Sequence, residues 1–167
     1  MRNLIGGTIL LILMAPAVAL GKTNQSALID SEKGRVGDFY IGTKINEYAG
    51  YFDGFVPGGH VYSTINGDFK VLTNNDGLIT EVQSKRRGMV TERFIRPGDS
   101  SLGDVLRSYG KPNKITSGTD SLTLDYGLQK FYFHLGTGWA TGVNRSKLLE
   151  MKVESIGVKS SSTEPRD

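Results

Sequence analysis

The chain contains no cysteine in its 167 residues. That absence excludes a disulfide framework, a thiol nucleophile, thiolate metal ligands and a lipid anchor on an N-terminal cysteine. The fold must therefore hold through its apolar core alone. Histidine is scarce, with two residues, and tryptophan occurs once. Charge of one sign is also lacking: the formal net charge is +3, with 20 basic and 17 acidic residues well mixed along the chain. Lys85-Arg86-Arg87 is the only basic cluster. It reads as a solvated connector, because a nucleic-acid footprint needs a stripe of basic groups on one face. Past the first twenty residues no apolar run is long enough for a membrane span, which takes about 20 residues.

What is present begins with MRNLIGGTILLILMAPAVALGK. Arg2 is a minimal charged start, Leu4 to Leu13 is an apolar run, and Ala17-Val18-Ala19 or Ala19-Leu20-Gly21 fits a small-x-small cleavage site. Residues 1–21 are expected to be a signal peptide. The mature protein is then expected to be exported, periplasmic or secreted, with no stable membrane insertion after cleavage and no nucleic-acid partner.

Behind the signal, one pattern occurs twice. Ile45, Tyr48, Ala49 and Phe52 lie at helical spacing, with Thr43 as the expected N-cap. Leu102, Val105, Leu106 and Tyr109 repeat the spacing at the same interval. Ser101-Leu102-Gly103-Asp104 supplies a capping box, Gly110 a left-handed stop, and Pro112 a barrier to continuation. Strand-like segments follow each helix. In the first unit they are Val61–Ile65, Asp68–Thr73 and Leu78–Gln83, with Asn66-Gly67 as a hairpin signal whose two turn positions are expected at positive φ. In the second they are Leu122–Tyr126, Gln129–Leu135 and Leu148–Glu154.

The fold class expected is α+β, with two tandem helix–β-meander repeats and an antiparallel sheet carrying its helices on one face. The boundaries are a flexible lead-in over 22–34, repeats over 35–85 and 94–157, a connector over 86–93, and a disordered tail over 158–167. Leu122, Leu124, Phe131, Phe133, Leu135, Leu149, Met151 and Val153 alternate onto the helix-covered side. Thr123, Asp125, Tyr132, His134, Glu150 and Lys152 face the other way, joined from the first unit by Tyr62, Thr64, Lys70, Leu72, Ile79 and Glu81. An antiparallel sheet can leave one face to water.

Ser101-Leu102-Gly103-Asp104-Val105-Leu106, then Tyr109-Gly110-Lys111-Pro112, then Leu122–Tyr126 and Phe131-Tyr132-Phe133 carry a resemblance. From about Val36 to Ser155 the arrangement resembles the tandem-repeat fold of the beta-lactamase inhibitory protein family. It is also similar to the single-unit fold of small outer-membrane assembly lipoproteins. The resemblance implies a non-enzymatic role in which a sheet face and its loops grip another protein. The chain lacks both the bracing cysteines of the first family and the anchoring cysteine of the second.

Trp139 stands in a Gly-rich loop, where it is either a binding anchor or a cover folded over the sheet edge. The glycines around it match no dinucleotide or P-loop spacing. His134 with Asp125 and Glu150 offers a zinc or acid–base trio, set against the plainer reading of a solvated polar ladder. No Gly-x-Ser-x-Gly elbow is present. Asp99 and Asp104 flank a helix start, where the helix dipole accounts for carboxylates. Asn24-Gln25-Ser26 and Asn144-Arg145-Ser146 are acceptor sequons.

The expectation is a non-enzymatic protein-binding module, inhibitor-like or an envelope accessory factor, with no cofactor, no metal and no catalytic set. Its partner is expected to be another envelope or secreted protein. The contact residues expected are Trp139, Tyr132, His134, Tyr62, Lys70, Lys152 and Glu150. The alternative is a small-molecule or glycan-binding protein using the same face. A hydrolase built on His134 and a self-assembling structural protein rank after it.

Overall fold

In the computed structural model, residues 27–136 and 144–161 are described. The signal segment, the Asn24 sequon and Trp139 lie outside them. The architecture is mixed α and β, dominated by two sheets. The larger sheet has seven strands, all antiparallel, in the order β4-β5-β6-β11-β10-β9-β8. These are β4 (Val61–Ser63), β5 (Phe69–Thr73), β6 (Ile79–Ser84), β8 (Lys114–Ser117), β9 (Ser121–Asp125), β10 (Gln129–His134) and β11 (Ser155–Lys159). The smaller sheet is β3-β2-β1-β7, from β1 (Leu28–Asp30), β2 (Arg35–Val36), β3 (Phe39–Tyr40) and β7 (Val90–Thr91). Only its β1–β7 pair is parallel.

The two turns of the β4–β5–β6 meander use one device. The Gly67 N–H bonds to the Thr64 carbonyl at 2.7 Å, and Gly67 sits at φ 68. Gly77 bonds likewise to Asn74 at 3.0 Å, at φ 70. Among the described residues Phe94 is the only non-glycine at positive φ. Asn66 therefore keeps a negative φ, contrary to expectation, and the hairpin is a turn closed by a left-handed glycine rather than a two-residue mirror turn.

The second helix forms as its sequence signals. In α1 (Leu102–Tyr109) the Ser101 side chain accepts from the Asp104 N–H while the Asp104 carboxylate accepts from the Ser101 N–H, and Gly110 ends the helix at φ 74. The first does not form an α-helix. Ile45–Tyr51 is a 3-10 helix whose N-cap is Lys44, without a side-chain cap bond. Its first N–H is held by the Gly77 carbonyl at 2.9 Å. Three residues per turn put Tyr48 and Tyr51 on one side. Both rings meet Phe39, at 5.0 and 5.4 Å between centroids.

Four segments differ from expectation. Leu148–Glu154 is not a strand: α2 (Arg145–Leu149) occupies its start and Leu149 is exposed. Met151 and Val153 are buried, but their backbone pairs with the approach to α1, through Leu102 N–H to Met151 and Val153 N–H to Ser100. The strand that joins the two halves is β11 instead, so Val158 and Lys159 belong to the sheet rather than to a tail. The lead-in holds β1, and the connector holds β7.

The core lies on one side of the large sheet. Phe69, Ser84, Ile156, Phe131 and Leu124 form one inward row across five strands, and Val71, Val82 and Val158 belong to another. Phe39 of the small sheet packs on Phe69 at 5.3 Å, and Tyr109 of α1 on Phe131 at 4.9 Å. The helices and the small sheet thus share that side. Burying side chains of this size is worth about 1.5–3 kcal/mol each.

Candidate binding face on the open side of the sheet

The opposite face carries no helix or strand among the described residues. Its rows follow from the registers. Ser63, Lys70, Gln83, Gly157, Lys130, Asp125 and Lys114 run across one level. Val61, Leu72, Glu81 and Lys159 run across the next. Ser155, Tyr132, Thr123 and Thr116 form a third.

Glu81 is the hub. Tyr132 Oη donates to its Oε1 at 2.5 Å, Gln83 Nε2 to the same oxygen at 2.7 Å, and Lys130 Nζ to its Oε2 at 2.9 Å. Gln83 also donates to Tyr132 Oη at 3.1 Å. Burial by itself would raise the Glu81 pKa, but the three donors and the Lys130 charge outweigh it and hold the carboxyl below its usual value. Burial, reinforced by the Glu81 charge, pushes the Tyr132 phenol well above its ordinary range. Beside this cluster Lys159 Nζ meets Asp125 Oδ2 at 3.0 Å.

Gly157 makes the cluster possible. A Cβ there would stand 3.1 Å from Tyr132 Cε2 and 3.4 Å from both Gln83 Cγ and Glu81 Oε1. The bare strand leaves room for the Tyr132 ring to cross it and reach Glu81.

A bulge decides which first-unit residues share this face. The register of β5 and β6 shifts at Leu72/Thr73, so Thr73 opposes Ile79 while Leu72 opposes Glu81. Ile79 is thereby turned into the core, at 1% exposure, although alternation alone puts it beside Glu81.

The residues expected to form the contact surface are only partly brought together. Tyr132 and Lys70 lie on the open face. Tyr62 does not: it opposes Val71, is buried, and its Oη donates to the Val56 carbonyl at 3.1 Å. Thr64 is buried with it. Glu150 caps the end of α2, and Lys152 Nζ donates to the Asp99 carbonyl at 2.7 Å, so neither is on the sheet. His134 is exposed at the far end of β10, opposite Ser121, while Asp125 opposes Lys130. Four residues of strand separate them, about 13 Å, so the His134–Asp125–Glu150 trio is not assembled. Among the described residues no group of three or more His, Asp or Glu is placed to hold a metal.

Sequence reasoning left Glu81, Gln83, Lys130 and Gly157 out of the contact set. Alternation along Leu78–Gln83 places Glu81 on the outward face, and Lys130, two residues before Tyr132, shares that residue's side by the same rule though it was not in the outward set. The strand carrying Gly157 was not recognised, and nothing in the sequence tied it to Tyr132.

No protein-family model matches the chain, and no curated protein matches it. Two solved structures resemble it. The uncharacterized protein yfeY from Escherichia coli is 13% identical, over 64% of this chain and 77% of that one, with a TM-score of 0.44. A DUF4309 family protein, YjgB, from Bacillus subtilis is 14% identical, over 74% and 83% respectively, with a TM-score of 0.45.

Proposed function

We propose that the chain is an exported, non-enzymatic protein-binding module that grips an acidic patch on another envelope or secreted protein with the open face of its large sheet. The observation that carries this reading is the interlocked Glu81–Tyr132–Gln83–Lys130 cluster at the centre of an uncovered sheet. Side chains already fixed by mutual hydrogen bonds lose little entropy on contact. Glu81 and Asp125 are paired within the face to Lys130 and Lys159, and Lys70 and Lys114 are exposed toward the two ends of the level that carries Asp125. Exposed Val61 and half-buried Leu72 add an apolar margin. Such a surface favours a partner of opposite charge and steers its approach.

The tandem-repeat organisation belongs to the same proposal. In each half a helix precedes strands of the large sheet, and β6 of one half pairs with β11 of the other to make a single sheet. That arrangement supports the resemblance to the beta-lactamase inhibitory protein fold, and with it a gripping role rather than a catalytic one.

The test is capture from envelope and secreted fractions of the native host on immobilised chain. The expected result is one saturable, stoichiometric protein, released by moderate salt and lost with Lys70→Glu/Lys114→Glu. Lys33→Glu, on the turn after β1, serves as the control. Capture that is indifferent to both sets of charges would sink the assignment of this face.

A further inference from the structure

A second feature lies on the covered side of the sheet. Between the β1–β2 turn, the loop after β7, the end of α1 and the β9–β10 turn there is a cleft of about 240 Å³. Gln129, the first residue of β10, lines it. Its register partner is Val158, so it occupies a place in the row of Val71, Val82 and Val158 that core packing would fill with an aliphatic side chain. It is 2% exposed, and among the described residues neither Nε2 nor Oε1 has a hydrogen-bond partner. A buried carboxamide with both ends unpaired is destabilising wherever it serves only packing.

Apart from exposed Glu32, the other polar side chains lining the cleft are engaged, Ser31 Oγ with Glu92 Oε1 at 3.5 Å among them. Tyr109 Oη donates to Glu92 Oε1 at 3.1 Å, and Tyr126 Oη to the Gly110 carbonyl at 2.9 Å. Arg93 lies over the Tyr109 ring at 4.7 Å and donates to the Ser108 carbonyl at 2.7 Å. The two tyrosine rings, 5.4 Å apart, give an aromatic wall. Glu92 and Arg93 form the rim, and they belong to the turn that holds Phe94 at φ 63 with 79% of the residue exposed. A bulky residue in the left-handed region is strained, and strain of this kind gathers at ligand clamps and switches. The turn over the cleft is thus the segment with most to gain from rearranging.

The geometry points to a binding site for a ligand that presents a hydrogen-bond donor and acceptor side by side. The chemistry is that of a primary carboxamide or of one residue of an extended peptide. Its N–H would pair with Gln129 Oε1 and its C=O with Gln129 Nε2, the apolar remainder lying against Tyr109 and Tyr126. The Glu92–Arg93 turn moves aside to admit it, since the Gln129 amide is closed to solvent in this state. This site is on the opposite side of the sheet from the open face and stands or falls independently of it.

The test is an NMR titration of the full chain, following backbone amides and the Gln129 side-chain NH₂. The probes are benzamide as the primary carboxamide, N-acetylalanine N-methylamide as the extended peptide residue, and benzoate as a control that lacks the donor. The expected result is saturable shifts of the Gln129 NH₂ and of Glu92, Arg93 and Tyr109 with one or both amides, and none with benzoate. Which amide binds identifies the source of the group. Gln129→Leu and Gln129→Met are both expected to melt a few degrees higher while losing about tenfold or more in affinity, because they remove an unpaired amide that only the ligand satisfies. Absence of saturable shifts with both amides, equal binding of benzoate, or undiminished binding by the folded variants overturns the proposal. So does a lower melting temperature in both variants, which would mean that the amide is already satisfied in the native protein.

Discussion

The Tyr132 ring lies across Gly157, one strand away, where a Cβ would come within 3.1 Å of its Cε2. The glycine is kept for space rather than for backbone freedom, since its φ is not in the left-handed region. Gly157→Val places a branched side chain where the ring lies and separates Tyr132 from Glu81. Overpacking of this kind costs about 1–3 kcal/mol. Denaturant unfolding should register that loss, whereas Gly157→Val combined with Tyr132→Ala should recover part of it. A double variant no more stable than Gly157→Val alone would show that the clash lies elsewhere.

Glu81 makes the fold sensitive to acid. Its folded-state pKa lies below its ordinary 4.5. A carboxyl with a depressed folded pKa adds stability above its unfolded pKa, and that contribution is lost as pH falls through the folded value. Wild-type stability should therefore decline from about pH 4.5 downward, and Glu81→Gln should remove part of that slope while lowering stability at neutral pH, where Lys130 is left without its partner. Parallel urea midpoints for the two proteins across pH 3–7 would check it. Identical slopes would remove Glu81 from the account.

Parts of this structure were legible because their signals are local. Ser101 and Asp104 cap α1 as their spacing requires, and Gly67 and Gly77 turn the first meander. Leu124, Phe131 and Phe133 face the core as their alternation indicates. What escaped depends on partners distant in sequence. The parallel pairing of Leu28–Val90 rests on strands too short to show a period. Met151 and Val153 alternate like strand residues and are buried like them, yet their backbone neighbours are Leu102 and Ser100. At the candidate site, Tyr132 was readable as a face residue, but its attachment to Glu81 depends on a bulge at Leu72/Thr73 and on the β6–β11 pairing. Neither leaves a mark in composition.

The capping box of α1 gives a separable prediction. Ser101 Oγ accepts from the Asp104 N–H at 3.2 Å, and Asp104 Oδ2 accepts from the Ser101 N–H at 2.7 Å. Ser101→Ala should cost about 1 kcal/mol, as loss of an N-cap hydroxyl usually does. The Ser101 backbone N–H, its hydroxyl and Arg107 hold the Asp104 carboxyl below its ordinary 3.8. The contribution of that carboxyl is thus present above pH 3.8 and fades only as pH falls below it. Thermal melts of Ser101→Ala and Asp104→Asn at pH 7 and pH 3 would test both statements. The Asp104→Asn deficit should shrink at pH 3, and one that stays constant would contradict the pKa assignment.

Phe94 separates strain from packing. The residue is 79% exposed, so little burial is lost on removing its ring, while its φ of 63 carries the left-handed penalty of about 1–2 kcal/mol. Phe94→Gly removes that penalty but adds conformational freedom to the unfolded chain, for a net gain near 1 kcal/mol. Phe94→Ala keeps a Cβ at the same φ and should be close to neutral. The two variants together are decisive. Glycine stabilising and alanine neutral identifies backbone strain in the turn that carries Glu92 and Arg93. Both destabilising by a similar amount would instead mean that the exposed ring makes a contact the turn depends on, and the strain argument for a movable rim over Gln129 would lose its support.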